Sequence, residues 1–451
     1  MKYMDTVNTI TGIGLGPFNL GLAALLSKHG DIKSLFLERH KEFNWHKGLL
    51  LSGTTLQVPF FADLVTMADP CHPLSYLNYL HKQDRLYNFY YYEKFLVPRI
   101  EYNHYCRWAV KQLDNCRFEE SVNHISYDHT HDVFSVQSEL ASGPKKTYFS
   151  RHLAIGIGTQ PNIPQWLEKC DHPLVRHASE FANLKKKLTQ CQQVTIVGSG
   201  QSAAECVLSL FRSLTPEQVE RGASIRWVTQ SAGYHPMESS KLGQECFTPA
   251  YMDYFQTLTR NQRRDVVRHQ GLLYKGISCS TIDDIFELLY ERSIGGRVPG
   301  LVLNPNCHVK SIKPIGLTHG LKMECEHTQL KKIYFLESDA VIAATGYRHH
   351  WPTWLEKLKG SVLDTDENND FIVNNDFSAK RCDKGRGKIF IQNPEIYQQG
   401  VGGPDLGIGA YRNAKIINNI TNKPYYRISE ETSFQHYGIP KDAVFCDLDQ
   451  L

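Results

Sequence analysis

The chain lacks any cysteine pair of the C-x-x-C kind. Its twelve cysteines are scattered from Cys71 to Cys446 without paired metal-ligand spacing. No dithiol redox centre close in sequence and no resident metal is expected, and the thiols read as small apolar residues in a reducing compartment. No apolar run approaches the length of a membrane span, and the N-terminus lacks the basic and apolar regions of a signal peptide; a cytoplasmic protein without a membrane partner is expected. An excess of charge is missing too. The net charge of +3 is too small to act as a footprint on nucleic acid, and the run Lys185 to Lys187 reads as a solvated helix face. With 41% hydrophobic residues in 451, the chain is long and apolar enough for two or three folded domains.

Two glycine-rich turns are present, each after a strand-like run: G-I-G-L-G-P-F-N from Gly12 to Asn19 and G-S-G-Q-S-A from Gly198 to Ala203. In the first, Gly12 permits a tight turn, Gly14 lets the backbone approach a pyrophosphate, and the helix opening after Gly16 supplies partial positive charge. Pro17 stands where a third glycine is usual, tolerable because the first helical turn needs no amide donor there. The next strand, residues 34–39, brings Glu38 to where a carboxylate accepts from an adenosine ribose hydroxyl. The second turn follows residues 193–197 and opens another helix, and Gly198, Gly200, Gln201 and Ser202 are its candidate phosphate contacts. Its following strand ends in Gln230 rather than an acidic residue, so nothing there repels a ribose 2′-phosphate; this favours NADPH, with Lys241 and Arg226 as candidate cations. Two dinucleotides in one chain point to a flavin enzyme that takes electrons from a nicotinamide.

The expected fold class is α/β, with two Rossmann-like domains for FAD and NADPH and a small, mainly helical substrate region. Residues 1–190 are assigned to the first part of an FAD domain, and 191–337 to an inserted NADPH domain with a helical insertion at about 237–292. Residues 338–451 are assigned to the returning FAD domain and a cover over the flavin. The buried run A-V-I-A-A-T-G-Y, residues 340–347, reads as the return of the chain to the first domain.

Several motifs in order resemble the N-hydroxylating flavin monooxygenases, the L-lysine and L-ornithine N-monooxygenase family of siderophore biosynthesis. They are G-I-G-L-G-P-F-N-L at Gly12, F-N-W-H-K-G-L-L-L at Phe43, L-Q-V-P-F-F-A-D-L-V-T at Leu56, R-L-Y-N-F-Y-Y-Y at Arg85, G-S-G-Q-S-A-A-E at Gly198 and A-T-G-Y-R at Ala344. The resemblance implies FAD, NADPH and O2 as reactants, a primary amine as substrate, oxygen transfer from a C4a-hydroperoxyflavin, and a homo-oligomer, dimer or tetramer. It implies that Trp45, His46 and Gln57 lie along the FAD, Gln57 being the candidate catalytic support. Without the family match, Trp45 and the tyrosines from Tyr87 to Tyr92 read as core aromatics.

The departures from the family bear on the substrate. Ala62 stands where the amino-acid enzymes carry a lysine that pairs with the substrate's α-carboxylate, and Gln244 stands where ornithine enzymes have an asparagine. Gln399 stands where many relatives have histidine. A carboxylate brought into a partly dry pocket without a partner costs several kcal/mol, so an amine without a carboxylate is expected: histamine, or a diamine such as putrescine or cadaverine. The alternative is an L-lysine or L-ornithine N-monooxygenase. A Baeyer–Villiger or sulfur-oxidising monooxygenase would carry an F-x-G-x-x-x-H motif between the glycine turns, and that string is absent.

Overall fold

Strand Asn8–Ile13 is buried along its last four residues and pairs in parallel with Ser34–Leu37 on one side and Lys145–Ile155 on the other. Burial on both faces suits the apolar, β-branched residues of such strands. The register sets Ile13 opposite both Leu37 and Ile155, so the first glycine turn leaves the sheet at the carboxyl ends of three neighbouring strands, where ligands of open α/β sheets bind. The computed structural model describes residues 7–140, 143–316, 320–440 and 442–443. In the first sheet the order is Cys116–Arg117, Ser34–Leu37, Asn8–Ile13, Lys145–Ile155, Val133–Leu140, Glu120–Asp128, and Ile389–Ile391 pairs in parallel with Lys145–Ile155.

The second sheet is wholly parallel, in the order Leu301–Asn304, Ser224–Val228, Gln193–Val197, Ala340–Ala343, Val175–His177. The second glycine turn repeats the placement of the first, since Val197 lies opposite Val228 and Ala343. This corrects the expectation for residues 340–347. That strand does not rejoin the first sheet; it completes the second, its four buried residues filling the place beside Gln193–Val197. The strand that returns to the first sheet is Ile389–Ile391. Val175–His177 likewise belongs to the second sheet although it precedes residue 191. Strength of apolar run and order along the chain were the only guides from sequence, and neither records which neighbour a parallel strand takes.

Between the strands of the second sheet the chain adds an antiparallel meander, Cys307–Pro314, Leu321–His327 and Lys332–Ser338, packed on that sheet. It also adds a group of helices: Lys241–Gln244, Pro249–Thr257, Arg260–His269, Gly271–Tyr274 and Cys279–Ser293. Helix Pro17–Leu26 is buried except at Phe18 and packs against the late helix Gly409–Thr421. Asn413 on that helix donates to the Phe18 carbonyl at 3.0 Å. No helix among the described residues is long and apolar enough to cross a membrane.

The two units meet closely at Gly48. A Cβ built there would lie 1.6 Å from the Ser179 carbonyl oxygen, so segments 47–49 and 178–180 touch backbone to backbone. Gly48→Ala is expected to force them apart at a cost of about 1–3 kcal/mol, typical of overpacking, read as a lower thermal unfolding midpoint by circular dichroism.

Candidate functional site

At the first turn, a Cβ on Gly12 would meet the Phe36 ring at 2.2 Å, and one on Gly14, at φ +80°, would meet the Gly156 carbonyl at 2.6 Å. Both positions demand glycine. Asn19, fully buried, donates from Nδ2 to the Gly14 carbonyl at 2.7 Å and the Ala154 carbonyl at 3.1 Å, fastening the turn to the neighbouring strand. Glu38 accepts from the Leu15 amide and from the His40 amide, each at 2.8 Å. It is therefore held at the turn by two amides, with lone pairs left on both oxygens. A Cβ on Gly16 would meet only the Gly156 oxygen, at 3.9 Å. The turn thus keeps an open approach beside the amides of the helix that Pro17 begins, which is the space and polarity a pyrophosphate needs.

The second turn is built differently. Gly198 takes φ +142°, a Cβ there would lie 2.3 Å from the Ala344 carbonyl, and the Gly198 carbonyl accepts from Trp227 Nε1 at 2.7 Å. Gly200 has nothing within 4 Å of a built Cβ, an open approach again, with half-buried Ser202 in the first turn of helix Gln201–Ser213. The Gln201 side chain faces other duties. Its Nε2 donates to Glu205 and Thr281, each at 3.1 Å, and its Oε1 accepts from the Ser278 amide at 2.8 Å. Gln230 is exposed at the strand end. Arg226 lies mid-strand and donates to the Glu337 carbonyl at 3.0 Å, so it is committed to the meander. Lys241 is exposed at the start of helix Lys241–Gln244.

Between the two turns runs a buried ion pair absent from the sequence reading. Arg99, at the start of helix Arg99–Val110, meets Glu205 of helix Gln201–Ser213 through two bonds of 2.9 and 2.7 Å. It also donates to the Leu49 carbonyl at 3.2 Å. Only 9% of Arg99 and 4% of Glu205 is exposed. His46 sits near this pair in a left-handed conformation, φ 52°, its ring edge-on to Trp45 and to Tyr347. Crowding by the protein and the Arg99 charge push its pKa below the ordinary value, tempered because the residue is exposed to solvent. The Trp45 amide is held by Asn103 Oδ1 at 2.8 Å, and half-buried Gln57 donates weakly to the Thr55 carbonyl at 3.4 Å. The structure therefore gathers Trp45, His46 and the Arg99–Glu205 pair where the two units face each other.

Ala62 is buried at 5% exposure. Its neighbour Asp63 is buried too, accepting from the Val65, Thr66 and Tyr76 amides and the Thr66 hydroxyl; it is a structural carboxylate. Gln399 is fully buried, its Nε2 donating to the Asn374 carbonyl at 2.9 Å and its Oε1 without a partner among the described residues. Gln244 is exposed and donates to the Glu238 carbonyl at 3.0 Å. Arg412, also missed, is fully buried between the Phe18 and Phe377 rings and donates to the Gly403 carbonyl. Burial pushes its pKa down to about 9. The tyrosines from Tyr87 to Tyr92 are not core: helix Leu86–Tyr92 has no buried residue, and Tyr87 is 80% exposed.

Two glycine turns, each at the carboxyl ends of parallel strands within its own sheet, with a buried ion pair between the two units, fit the class of flavoproteins that bind two dinucleotides. The match to known proteins narrows this class. Residues 6–349 match the family described as L-lysine 6-monooxygenase/L-ornithine 5-monooxygenase, and the chain belongs to that family. It is 55% identical over 432 residues to the rhizobactin siderophore biosynthesis protein RhbE of Rhizobium meliloti, covering 96% of this chain and 95% of that one. It is 37% identical over 438 residues to a putrescine N-hydroxylase of Shewanella oneidensis, covering 96% and 84%. The crystal structure of DfoA bound to FAD, a cadaverine monooxygenase of Erwinia amylovora, superposes with a TM-score of 0.90 at 31% identity, covering 97% and 100%. The chain is a flavin-dependent N-hydroxylating monooxygenase using FAD and NADPH.

Two outcomes follow from this geometry. Arg99→Met leaves the Glu205 carboxylate buried and unpaired, and is expected to cost about 3–5 kcal/mol, more than the double replacement Arg99→Met/Glu205→Leu, in calorimetry of the holoprotein. Burial also lowers the pKa of His72 and of His152 to about 4 from the ordinary 6.5. The unfolded chain binds these protons first, so the stability these two histidines contribute should be constant above pH 6.5 and be lost as pH falls toward 4, read as the difference in a thermal-midpoint series between the wild type and His72→Gln/His152→Gln.

Proposed function

We propose that the chain N-hydroxylates a primary amine without an α-carboxylate, an aliphatic diamine of the putrescine or cadaverine class, for siderophore biosynthesis. The observation that carries this reading is Ala62: the place at which amino-acid enzymes of the family set a cation is here a buried methyl group. Relatives whose names state putrescine and cadaverine as substrates support it.

An aliphatic amine with a pKa of about 10.4 is neutral in roughly one molecule in a thousand near neutral pH, a cost of about 4 kcal/mol. Only the neutral form has the lone pair that reacts. A desolvating environment therefore does part of the chemistry by favouring that form. Gln399, whose buried Oε1 has no partner among the described residues, would accept from the substrate amine, and Gln244 would stand across from it. Neither carries a charge that would hold a carboxylate. Gly12, Gly14, Gly16 and Pro17 would bring the first turn against the FAD pyrophosphate, with Glu38 on its ribose. Trp45, His46 and Gln57 would lie along its length, excluding water. Gly198, Gly200, Gln201 and Ser202 would hold the NADPH pyrophosphate through the turn's backbone, with Gln230 and Lys241 toward its 2′-phosphate. The bound flavin supplies the hydride acceptor and the oxygen-activating ring.

The same reading places the enzyme in the cytoplasm, where NADPH is supplied, and makes it a homo-oligomer, dimer or tetramer. Support for assembly comes from the exposed aromatic face around Tyr87, Tyr90, Tyr91 and Phe95, since contiguous apolar surface of this kind marks contact sites.

Hydroxylamine formation and NADPH consumption, measured in parallel on putrescine, cadaverine, histamine, lysine and ornithine, test the substrate. Product from a diamine and none from the amino acids is expected. Product from histamine alone would move the reading to an imidazole amine, and product from lysine or ornithine alone would overturn it.

A further inference from the structure

The chain beyond helix Gly409–Thr421 does not end against the first unit. Tyr426 anchors it there, its hydroxyl donating to the Leu25 carbonyl at 2.8 Å and its amide to Asn418 Oδ1 at 3.0 Å. The following residues then cross to the helical region and are caught by one side chain. Glu245 accepts from the Phe434 amide at 2.9 Å, the Gln435 amide at 3.1 Å, the Ser433 hydroxyl at 2.9 Å and Gln435 Nε2 at 3.0 Å. Four donors on one carboxylate hold its pKa down to about 2, so the clasp is charged at any working pH. Around it, Thr432 Oγ1 accepts from the Ala250 amide at 2.9 Å, and the Tyr437 ring packs on Tyr251 and Tyr254.

The same helical segment also rests on the loop that leads back to the first unit. A Cβ on Gly402 would touch Met252 Sδ at 3.0 Å and the Phe247 carbonyl at 3.1 Å, and one on Gly400 would touch the Phe255 ring at 3.4 Å. Gln256 Nε2 donates to the Gln398 carbonyl. Residues 245–256 are thus held by both the C-terminal strap and the 398–403 loop. Gln244 and Gln399, the two polar residues read above as substrate contacts, stand at the two edges of that grip.

We infer that Glu245 is a positioning residue for the amine: by clasping residues 433–435 it holds the helical segment against the 398–403 loop and so sets the spacing of Gln244 and Gln399. This rests on the amine reading above. A wall displaced by a fraction of an ångström leaves cofactor binding untouched but loosens the amine, and reducing equivalents are then lost to hydrogen peroxide instead of product.

The test compares three full-length holoenzyme variants. Glu245→Gln removes the charge; Phe434→Pro removes one clasp donor at a side chain that is 94% exposed and so costs no packing; the third combines them. Each single change is expected to raise KM for the preferred diamine on the order of tenfold and to raise the peroxide share of NADPH consumed. FAD content and the anaerobic rate of flavin reduction by NADPH should stay at wild-type values. The double variant should match the worse single one, because both changes open one clasp. Hydrogen exchange at residues 432–437, which needs no substrate, should speed up in all three. Wild-type exchange in the variants, or an additive double variant, would overturn the proposal. So would KM and peroxide yield unchanged while exchange rises. If the wild type works on another amine of the panel, KM is read with that amine, so failure of the diamine reading and failure of the clasp are told apart.

Discussion

Everything at the centre of this enzyme is referred to the Arg99–Glu205 pair. Removing two charges from water is expensive, and their attraction repays the cost only when the remaining donors and acceptors are also matched. Here they are: the guanidinium reaches the carboxylate through two bonds, spends a further N–H on the Leu49 carbonyl, and Gln201 adds a bond to the carboxylate. One partner opens a helix of the first unit and the other rides the helix that issues from the second glycine turn. The pair therefore ties the first unit to the helix that issues from the second glycine turn.

The two turns share a motif but not a support. The first is locked from within its own sheet, by Asn19 bridging to Ala154 and by Glu38 capping the Leu15 amide. The second is locked from outside, by Trp227 on the Gly198 carbonyl and by Gln201 reaching to the Ser278 amide and Thr281. A flavin stays bound through many turnovers, whereas a nicotinamide must be admitted each cycle. On the proposed assignment of the two cofactors, a self-contained cradle suits the first task, and a turn tied to the helices around Ser278 and Thr281 suits the second.

Much of the fold was legible because glycine turns and buried strands have steep local rules. Gly14 and Gly198 stand where a side chain collides with backbone, and such positions announce themselves. What stayed hidden was pairing across long stretches of chain. Residues 340–343 look the same on paper whether they join the first sheet or the second. Glu205 lay in plain view as the one acid in the apolar run A-A-E-C-V-L, a signal that a buried cation must exist, but nothing local said it was Arg99. The tyrosines near Tyr90 misled for the opposite reason: aromatic density suggests a core, and only the fold shows which aromatics face water. Gln244 and Gln399 drew their meaning from the family alone; burial then separated them, one exposed and one sealed in.

The order of strands has a consequence for how the protein is made. The second sheet uses residues 175–343 without interruption, so it can be complete while the rest of the chain is still being synthesised. The first sheet begins at Asn8 but waits for Ile389–Ile391, and its glycine-turn helix waits for Gly409–Thr421. Domains fold as units during synthesis, and contacts distant in sequence form late. The sheet of the second glycine turn can therefore be assembled first, and the cradle of the first turn closes only once helix Gly409–Thr421 has emerged.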